Sequence, residues 1–308
     1  MKVAIIGAGI AGLSCAAVLK GAGAEIMLFD KGRGPGGRMS TRRATVGDAT
    51  VQFDHGAQYF TARDPAFVAT VAAWEASGIV ARWPAAGADA WVGVPAMNAP
   101  VRASAEAHDV RWGSRIEAVG REGDTWRLDD ADERYDALVV AVPAEQVAAL
   151  TASYAPDIAA RADATRSDPC WTLMVAFDSR IDLPGDCLRG DSVDPIGWAA
   201  RNSAKPGRDA LETWVVQAGA EWSVRHLEME ADAVADLLLA ALVERAGALP
   251  DVLHKAAHRW RYARTTGRGD APFWDRAIGL GVCGDWLAGP RVESAWLSGH
   301  RLGRAMIG

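Results

Sequence analysis

Gly7-Ala8-Gly9-Ile10-Ala11-Gly12 constrains this chain more than any other stretch, because of what stands on either side of it. Lys2–Ile6 is an apolar run of the kind that forms a strand buried on both faces, and residues 13–19 continue with the Ala/Leu spacing of a helix. At such a junction the first glycine permits the tight turn, the second lets the backbone approach a pyrophosphate, and the third lets helix and strand pack closely. The free N–H groups of the helix start then face the phosphates. A glycine-rich turn alone would say little. Here residues 25–29 read as a second strand ending in Asp30, an acid about 20 residues beyond the glycines, where it can accept hydrogen bonds from a ribose diol. The pattern predicts a bound dinucleotide contacted by Gly7, Gly9, Ile10, Ala11, Gly12 and Asp30.

Lys31-Gly32-Arg33-Gly34-Pro35-Gly36-Gly37-Arg38-Met39 selects the kind of dinucleotide. Adjacent glycines followed by Arg give close backbone approach and a fixed cation beside the pyrophosphate, as suits a cofactor that stays bound. Gly-Gly-Arg at this offset recurs in large FAD-binding families, so FAD is expected rather than NAD, with Lys31, Gly37, Arg38 and Met39 among its contacts.

The length, 308 residues with half of them hydrophobic, suits one large or two interleaved domains. No apolar run approaches the ~18–20 residues of a membrane span, and the first residues already read as a strand, so a cytoplasmic protein without a leader is expected. The formal charge of −6 argues against a general nucleic-acid or anionic-membrane binder. Cys15, Cys170, Cys187 and Cys283 form no CxxC pair, and neither a disulfide framework nor a metal site is expected. The basic residues are nonetheless grouped: Lys31, Arg33, Arg38, Arg42 and Arg43 surround the expected phosphate site, while His258, Arg259, Arg261, Arg264 and Arg268 form a second group.

In order along the chain, residues 51–60 read as a strand broken at Gly56, and 64–77 as a helix with Asp64 as N-cap, Pro65 first, and Phe67, Val68, Val71 and Trp74 on its apolar side. Residues 79–83 and 90–94 suggest an antiparallel hairpin. A helix near 96–108 and strands at 110–112, 115–119 and 125–128 precede 135–142, whose apolar core is again a strand buried on both faces. Residues 171–177, 196–200, 212–218 and 254–263 read as antiparallel strands, interrupted by a helix at 230–246 with Val234, Leu237, Leu238, Ala241 and Leu242 on one face. Gly279, Gly281 and Gly284 also satisfy the glycine spacing, but their apolar residues lie inside the pattern. They fit a strand whose end, Gly284-Asp285, meets the ligand, with Asp285 accepting from a polyol such as a ribityl chain. The closing helix at 292–306 would aim its positive end at the ligand. The expected class is α/β: a discontinuous Rossmann-like dinucleotide domain (1–78, 96–168 and 264–308) with a second domain on a mostly antiparallel sheet (79–95 and 169–263), and a ligand site between them.

Gly34–Ser40, Gly56–Arg63, Trp198–Pro206, His258–Arg264, Cys283–Trp286 and Arg291–Gly299 together resemble the bacterial renalases over nearly the whole length. The Gly-Ala-Gln-Tyr-Phe, Ala-Arg-Asn and His-Arg-Trp blocks are the particular ones; the first and last motifs are shared with many flavoproteins. The resemblance implies an oxidase of the para-hydroxybenzoate-hydroxylase-like fold with non-covalent FAD, which oxidises the 2- and 6-dihydro isomers of NAD(P)H to NAD(P)+ and passes the electrons to O2, giving hydrogen peroxide. It places Ile116 near the adenine, and extends the cofactor contacts to Gly56, Ala57, Gln58, Tyr59, Gly284, Asp285, Arg291, Val292 and Glu293. Ser294 stands where related flavoproteins often have Gly, and Pro290 directly precedes Arg291.

A dihydropyridine gives up hydride readily, so flavin N5 as acceptor and correct orientation suffice, and no catalytic side chain is assigned. The substrate contacts expected are Tyr59, Trp198, Arg201, Asn202, His258, Trp260, Tyr262 and Trp296, with Arg201, Lys205, Arg259, Arg261 or Arg264 available to phosphates. On alternating strand positions some of these must point away. The partners expected are a dinucleotide substrate and O2. A flavin amine oxidase is the nearest alternative, an aromatic hydroxylase a weaker one because the chain has no Asp-Gly, and a flavin-binding protein without turnover the third.

Overall fold

The computed structural model describes residues 1–267 and 269–308, so Arg268 of the second basic group lies outside the described residues. β1 (Lys2–Ile6), α1 (Ile10–Gly21) and β2 (Glu25–Asp30) form the expected opening unit. The hairpin β3 (Arg42–Val46) and β4 (Ala49–Phe53) leads to α2 (Pro65–Ala76), where the Asp64 carboxylate accepts from the Ala66 N–H at 2.9 Å, the N-cap bond that its sequence position calls for. The hairpin β5 (Val80–Arg82) and β6 (Trp91–Gly93), α3 (Ala99–Glu106) and β7 (Asp109–Trp112) follow. Next come β8 (Val119–Glu122), β9 (Thr125–Leu128), β10 (Ala137–Val140), α4 (Ala144–Thr151) and α5 (Pro156–Ala164). The second half holds β11 (Ser167–Phe177), β12 (Cys187–Arg189), β13 (Trp198–Arg201), β14 (Glu212–Gln217), α6 (Ala220–Arg225), α7 (Ala231–Ala246) and β15 (Val252–Thr265). It ends with β16 (Phe273–Asp275), β17 (Leu280–Val282), α8 (Asp285–Ala288) and α9 (Val292–Ile307).

The first sheet has the order β16-β17-β10-β1-β2-β7, parallel except for β16 at its edge. The chain moves from β1 to β2 on one side, while β10 pairs on the other. The strand order therefore reverses at the carboxyl ends of β1 and β10, where an open α/β sheet leaves its ligand crevice. α9 crosses α1 at a point where a Cβ on Gly299 would lie 1.8 Å from the Ala11 carbonyl oxygen, so only glycine lets the two helices meet there. The hairpin β5–β6 packs Val80, Trp91 and Val92 into the same core as Leu13 of α1 and Val101 of α3.

The second sheet, β12-β13-β14-β11-β15, is antiparallel throughout. Its alternation sorts two cores. Leu173, Val175, Trp214 and Val216 face α7, while Met174, Ala176 and Val215 face Val46, Val51 and Phe53 of the β3–β4 hairpin. Three local expectations change. Residues 115–118 are loop rather than strand, because the Gly113 and Ser114 N–H groups donate to Gly32 and Asp30 carbonyls and draw the chain across the end of β2. Leu237 and Val68, expected on buried helix faces, are exposed, since Val234, Ala235, Leu238, Ala241 and Leu242 fill the α7 contact and Phe67 and Val71 that of α2. No described helix is long and apolar enough to cross a membrane.

Candidate functional site

At the crevice, the three glycines of the first turn meet three different surroundings. A Cβ on Gly7 would lie 2.4 Å from the Ala141 carbonyl oxygen, and one on Gly12 2.0 Å from that of Gly7, so both are closed in by protein. A Cβ on Gly9 would meet nothing within 4 Å. That asymmetry fits a ligand approaching the backbone at Gly9. α1 has no side-chain cap and no acid in its first turn, so the N–H groups of Ile10, Ala11 and Gly12 lack intrahelical acceptors and carry the positive end of the dipole. Asp30 draws the rim together, its Oδ2 accepting from the Ala8 N–H at 2.8 Å and Oδ1 from Gly32 at 2.7 Å. The loop holding Ile116 lies across the end of the same strand, and Ile116 packs against the core that contains Phe29 and Leu138.

Farther along the crevice Arg38 forms a two-pronged pair with Asp285, Nη1 to Oδ2 at 2.8 Å and Nη2 to Oδ1 at 2.6 Å. The two groups expected to touch the cofactor separately are thus joined, tying the Gly36–Met39 turn to the end of β17; each carboxylate oxygen keeps lone pairs for a polyol. Lys31 reaches Gln146 Oε1 at 2.8 Å, Met39 is buried against the core of α1, and a Cβ on Gly37 would meet nothing. Arg291 is the N-cap of α9 and Val292 its first residue. Glu293 turns away from the crevice: its Oε1 accepts from the Arg63 and Asp64 N–H groups at 2.6 and 2.7 Å and so docks α9 on the start of α2. Glycines open to the crevice, a free helix start and two cations at its rim are what an extended flavin dinucleotide requires, and these residues fit one.

The strand registers place Arg189, Trp198, Gln217, Thr172 and His258 in one row across β12, β13, β14, β11 and β15, on the face turned to Gly56–Tyr59. Three contacts fix that facing. Gln217 Nε2 donates to the Gly56 carbonyl at 2.7 Å, the Tyr59 and Trp198 rings lie 5.4 Å apart, and His258 meets His55 at 4.9 Å. Trp260, two residues on and so on the same face, lies tilted against the His55 ring and edge-on to that of His258, and donates from Nε1 to the His55 carbonyl at 2.8 Å. The structure therefore brings together Gly56, Ala57, Gln58, Tyr59, Trp198, His258 and Trp260. Tyr262 lies beyond Trp260, where the β11–β15 pairing shifts register, and is exposed; Trp296 packs at a tilt against Phe67 and stacks on His300 inside the α2–α9 contact. Gln217, Thr172 and Arg189 are not among the residues that the sequence marks; a polar residue adjoining an apolar strand run was the available signal for the first two.

Of the basic residues offered to phosphates, Arg201, Lys205, Arg259 and Arg261 are engaged elsewhere. Arg201 is buried, its guanidinium bonded to Glu212, Asp186 and the Ile181 carbonyl. Asn202 ties two backbones, accepting from the Asp54 N–H and donating to the Gln52 carbonyl. Lys205 and Arg208 close on Asp54 Oδ2 at 3.2 and 2.6 Å, all three side chains fully or almost fully buried. Arg259 and Arg261 pair with Glu228 on the opposite face of β15. The expectation of direct substrate contact from Arg201 and Asn202 gives way to a structural role, because both already have their hydrogen-bonding groups occupied by protein.

Burial, His258 and Arg42 together hold His55 down to about 4, and burial and Arg42 also lower His258. Both imidazoles are neutral at pH 7. A histidine whose folded pKa lies below its unfolded value contributes stability that is complete above pH 6.5 and is lost as pH falls toward 4, where the unfolded chain binds the extra proton first. Replacing His55→Met is expected to remove about 3 kcal/mol from the stability lost over that window, read as a flatter dependence of melting temperature on pH between 7 and 4. An unchanged slope would remove His55 from the account.

Residues 5–74 match the NAD(P)-binding Rossmann-like domain, and residues 80–307 match the flavin containing amine oxidoreductase family. Among solved structures, the chain is similar to a provisionally assigned protoporphyrinogen oxidase from Exiguobacterium sp., with a TM-score of 0.76 at 14% identity over 99% of this chain and 98% of that one. It is also similar to wild-type putrescine oxidase bound to putrescine (TM-score 0.70, 14% identity, 100% and 99% covered) and to cyclohexylamine oxidase from Brevibacterium oxydans (TM-score 0.66, 11% identity, 99% and 98% covered). At such identities the likeness is one of fold. The second match spans most of the chain, and this protein belongs to the flavin containing amine oxidoreductase family, a flavin-dependent oxidoreductase built on a Rossmann-like domain and a second, sheet-rich one.

Proposed function

We propose that the protein is an FAD-dependent oxidase of the renalase type, which takes hydride from 2- or 6-dihydro isomers of NAD(P)H to give NAD(P)+ and passes both electrons, with one further proton, to O2 as hydrogen peroxide. The flavin, held without a covalent bond, supplies the two-electron acceptor. The observation that carries this reading is the row Trp198-Gln217-Thr172-His258 facing Gly56–Tyr59. It offers aromatic surface and neutral hydrogen-bonding groups, and the carboxylate next to it, Asp54, is sealed by Lys205 and Arg208. Such a site orients a flat heteroaromatic ring rather than moving protons, which is all that loss of hydride from a dihydropyridine requires. Tyr59 and Trp198 provide the flat surface, Gln217 fixes the loop beneath it, and His258, neutral at pH 7, donates or accepts a single hydrogen bond without adding charge.

A flavin amine oxidase is the second reading, favoured by the family itself. Anaerobic mixing separates the two. The protein as purified is expected to be yellow, to release its colour on denaturation, and to be bleached by 6-dihydro-NAD far faster than by NADH or by putrescine. Bleaching by the amine and not by the dihydro isomer would replace the first reading with the second; equal rates with NADH and the isomer would overturn the substrate proposed.

A further inference from the structure

The row across the second sheet does not stop at Trp198. Its next member, Arg189, is paired in register with Trp198 and so lies on the same face, at the exposed end where β12 forms the sheet edge. The guanidinium lies over the Trp198 ring, 4.5 Å from its centroid, and one nitrogen, Nη2, donates to the Ala86 carbonyl at 2.7 Å in the turn between β5 and β6. Arg189 thus spans from the second sheet to a hairpin packed in the core of the first, above the Tyr59–Trp198 pair. Its situation differs from that of Arg38, Arg201, Arg208, Arg259 and Arg261, each of which is neutralised by a carboxylate. Among the described residues Arg189 forms no ion pair, and its remaining N–H donors are free.

An arginine stacked on an aromatic ring is held flat with its donor edge fixed in direction, and so loses little freedom on binding a planar or tetrahedral anion. We infer that Arg189 is a specificity-determining residue at the mouth of the site, binding a phosphate of an anionic substrate whose flat ring lies along Trp198 and Tyr59. The inference rests on the dinucleotide reading above and sharpens it: selection for a phosphate-bearing substrate, and against a cationic amine, comes from this side chain rather than from Arg201, Lys205, Arg259 and Arg261, whose charges are already answered by carboxylates.

The test uses the purified holoprotein and oxidised NAD+ as an equilibrium probe, titrated calorimetrically, beside anaerobic bleaching by 6-dihydro-NAD. Replacing Arg189→Gln is expected to weaken NAD+ binding about tenfold or more and to raise the half-saturating concentration of the dihydro isomer by a similar factor. The limiting bleaching rate, flavin content and melting temperature should stay as in the unsubstituted protein. Arg189→Lys should recover part of the affinity, since it keeps the charge but not the stacked fork. Arg261→Gln, which removes an equal charge on the opposite face of β15, should change nothing. An unaltered NAD+ affinity in R189Q, in a protein that dihydro-NAD does bleach, overturns the role of Arg189 alone. A fall in melting temperature and flavin content that accounts for the lost binding reduces Arg189 to its tie with Ala86. An unsubstituted protein that neither binds NAD+ nor is bleached overturns the substrate reading and this inference with it.

Discussion

Replacing Asp54→Ala should be the most destabilising single change in the second half of the site, lowering stability by about 3–5 kcal/mol and the melting temperature by about 10 °C. Asp54 is the only acid touching two buried cations, Lys205 and Arg208, among the described residues, and it also accepts from the Thr41 hydroxyl and the Met97 N–H at 2.8 and 2.9 Å. Burial alone would push its carboxyl up, but Lys205 and Arg208 outweigh burial and hold it well below the usual carboxylate range. Removing it leaves two buried cations without a counter-charge. Lys205→Met is the informative partner, because it leaves the Asp54–Arg208 pair matched and takes away a cation that burial already draws down to about 8. It should cost much less than D54A. Equal losses in the two variants would mean that packing, not charge, governs the cluster. Since Asp54, Gln58 and Asn202 anchor the loop that presents Gly56 to Tyr59, D54A should also lower flavin retention, and flavin content measured beside the melting curve separates the two effects.

What the sequence disclosed and what it withheld divide along the range of the interactions. The opening strand, turn and helix, the Asp64 cap of α2 and the closing helix were legible because each is decided within a few residues. α4 and α5 were not, since residues 144–164 are rich in alanine and short of large apolar residues that would mark a face. The basic groups misled for a different reason. Arg259 and Arg261 stand beside His258 and Trp260 in the chain, yet strand alternation turns them to the other side of the sheet, toward Glu228. Lys205 and Arg208 find Asp54 some 150 positions away, and the row from Arg189 to His258 exists only once four strand registers are set. Composition can show that a cation is present; only tertiary pairing shows whether its charge is already answered.

The second large effect separates the cofactor from the scaffold. Gly9→Val should leave a folded, colourless protein, whereas Gly12→Val should leave little folded protein at all. At Gly9 the backbone is extended, at φ −77° and ψ 179°, which a β-branched residue adopts without strain, and apart from its two chain neighbours nothing in the protein lies within 4 Å of the added Cβ. The added methyl groups would occupy only the space in front of the α1 N-terminus, where a diphosphate must come close to the N–H groups to be held. At Gly12 the Cβ would sit 2.0 Å from the Gly7 carbonyl oxygen and 3.3 Å from Ala141, so β1, α1 and the end of β10 could not keep their places. Flavin content from the visible spectrum and the melting temperature of each purified variant decide the matter. Flavin in G9V at the level of the unsubstituted protein would mean that the dinucleotide does not pass in front of Gly9, and the placement of the whole cofactor along this crevice would have to be abandoned. Loss of flavin from G9V with an unchanged fold would tie the cofactor to the one glycine of the turn that the protein itself does not need.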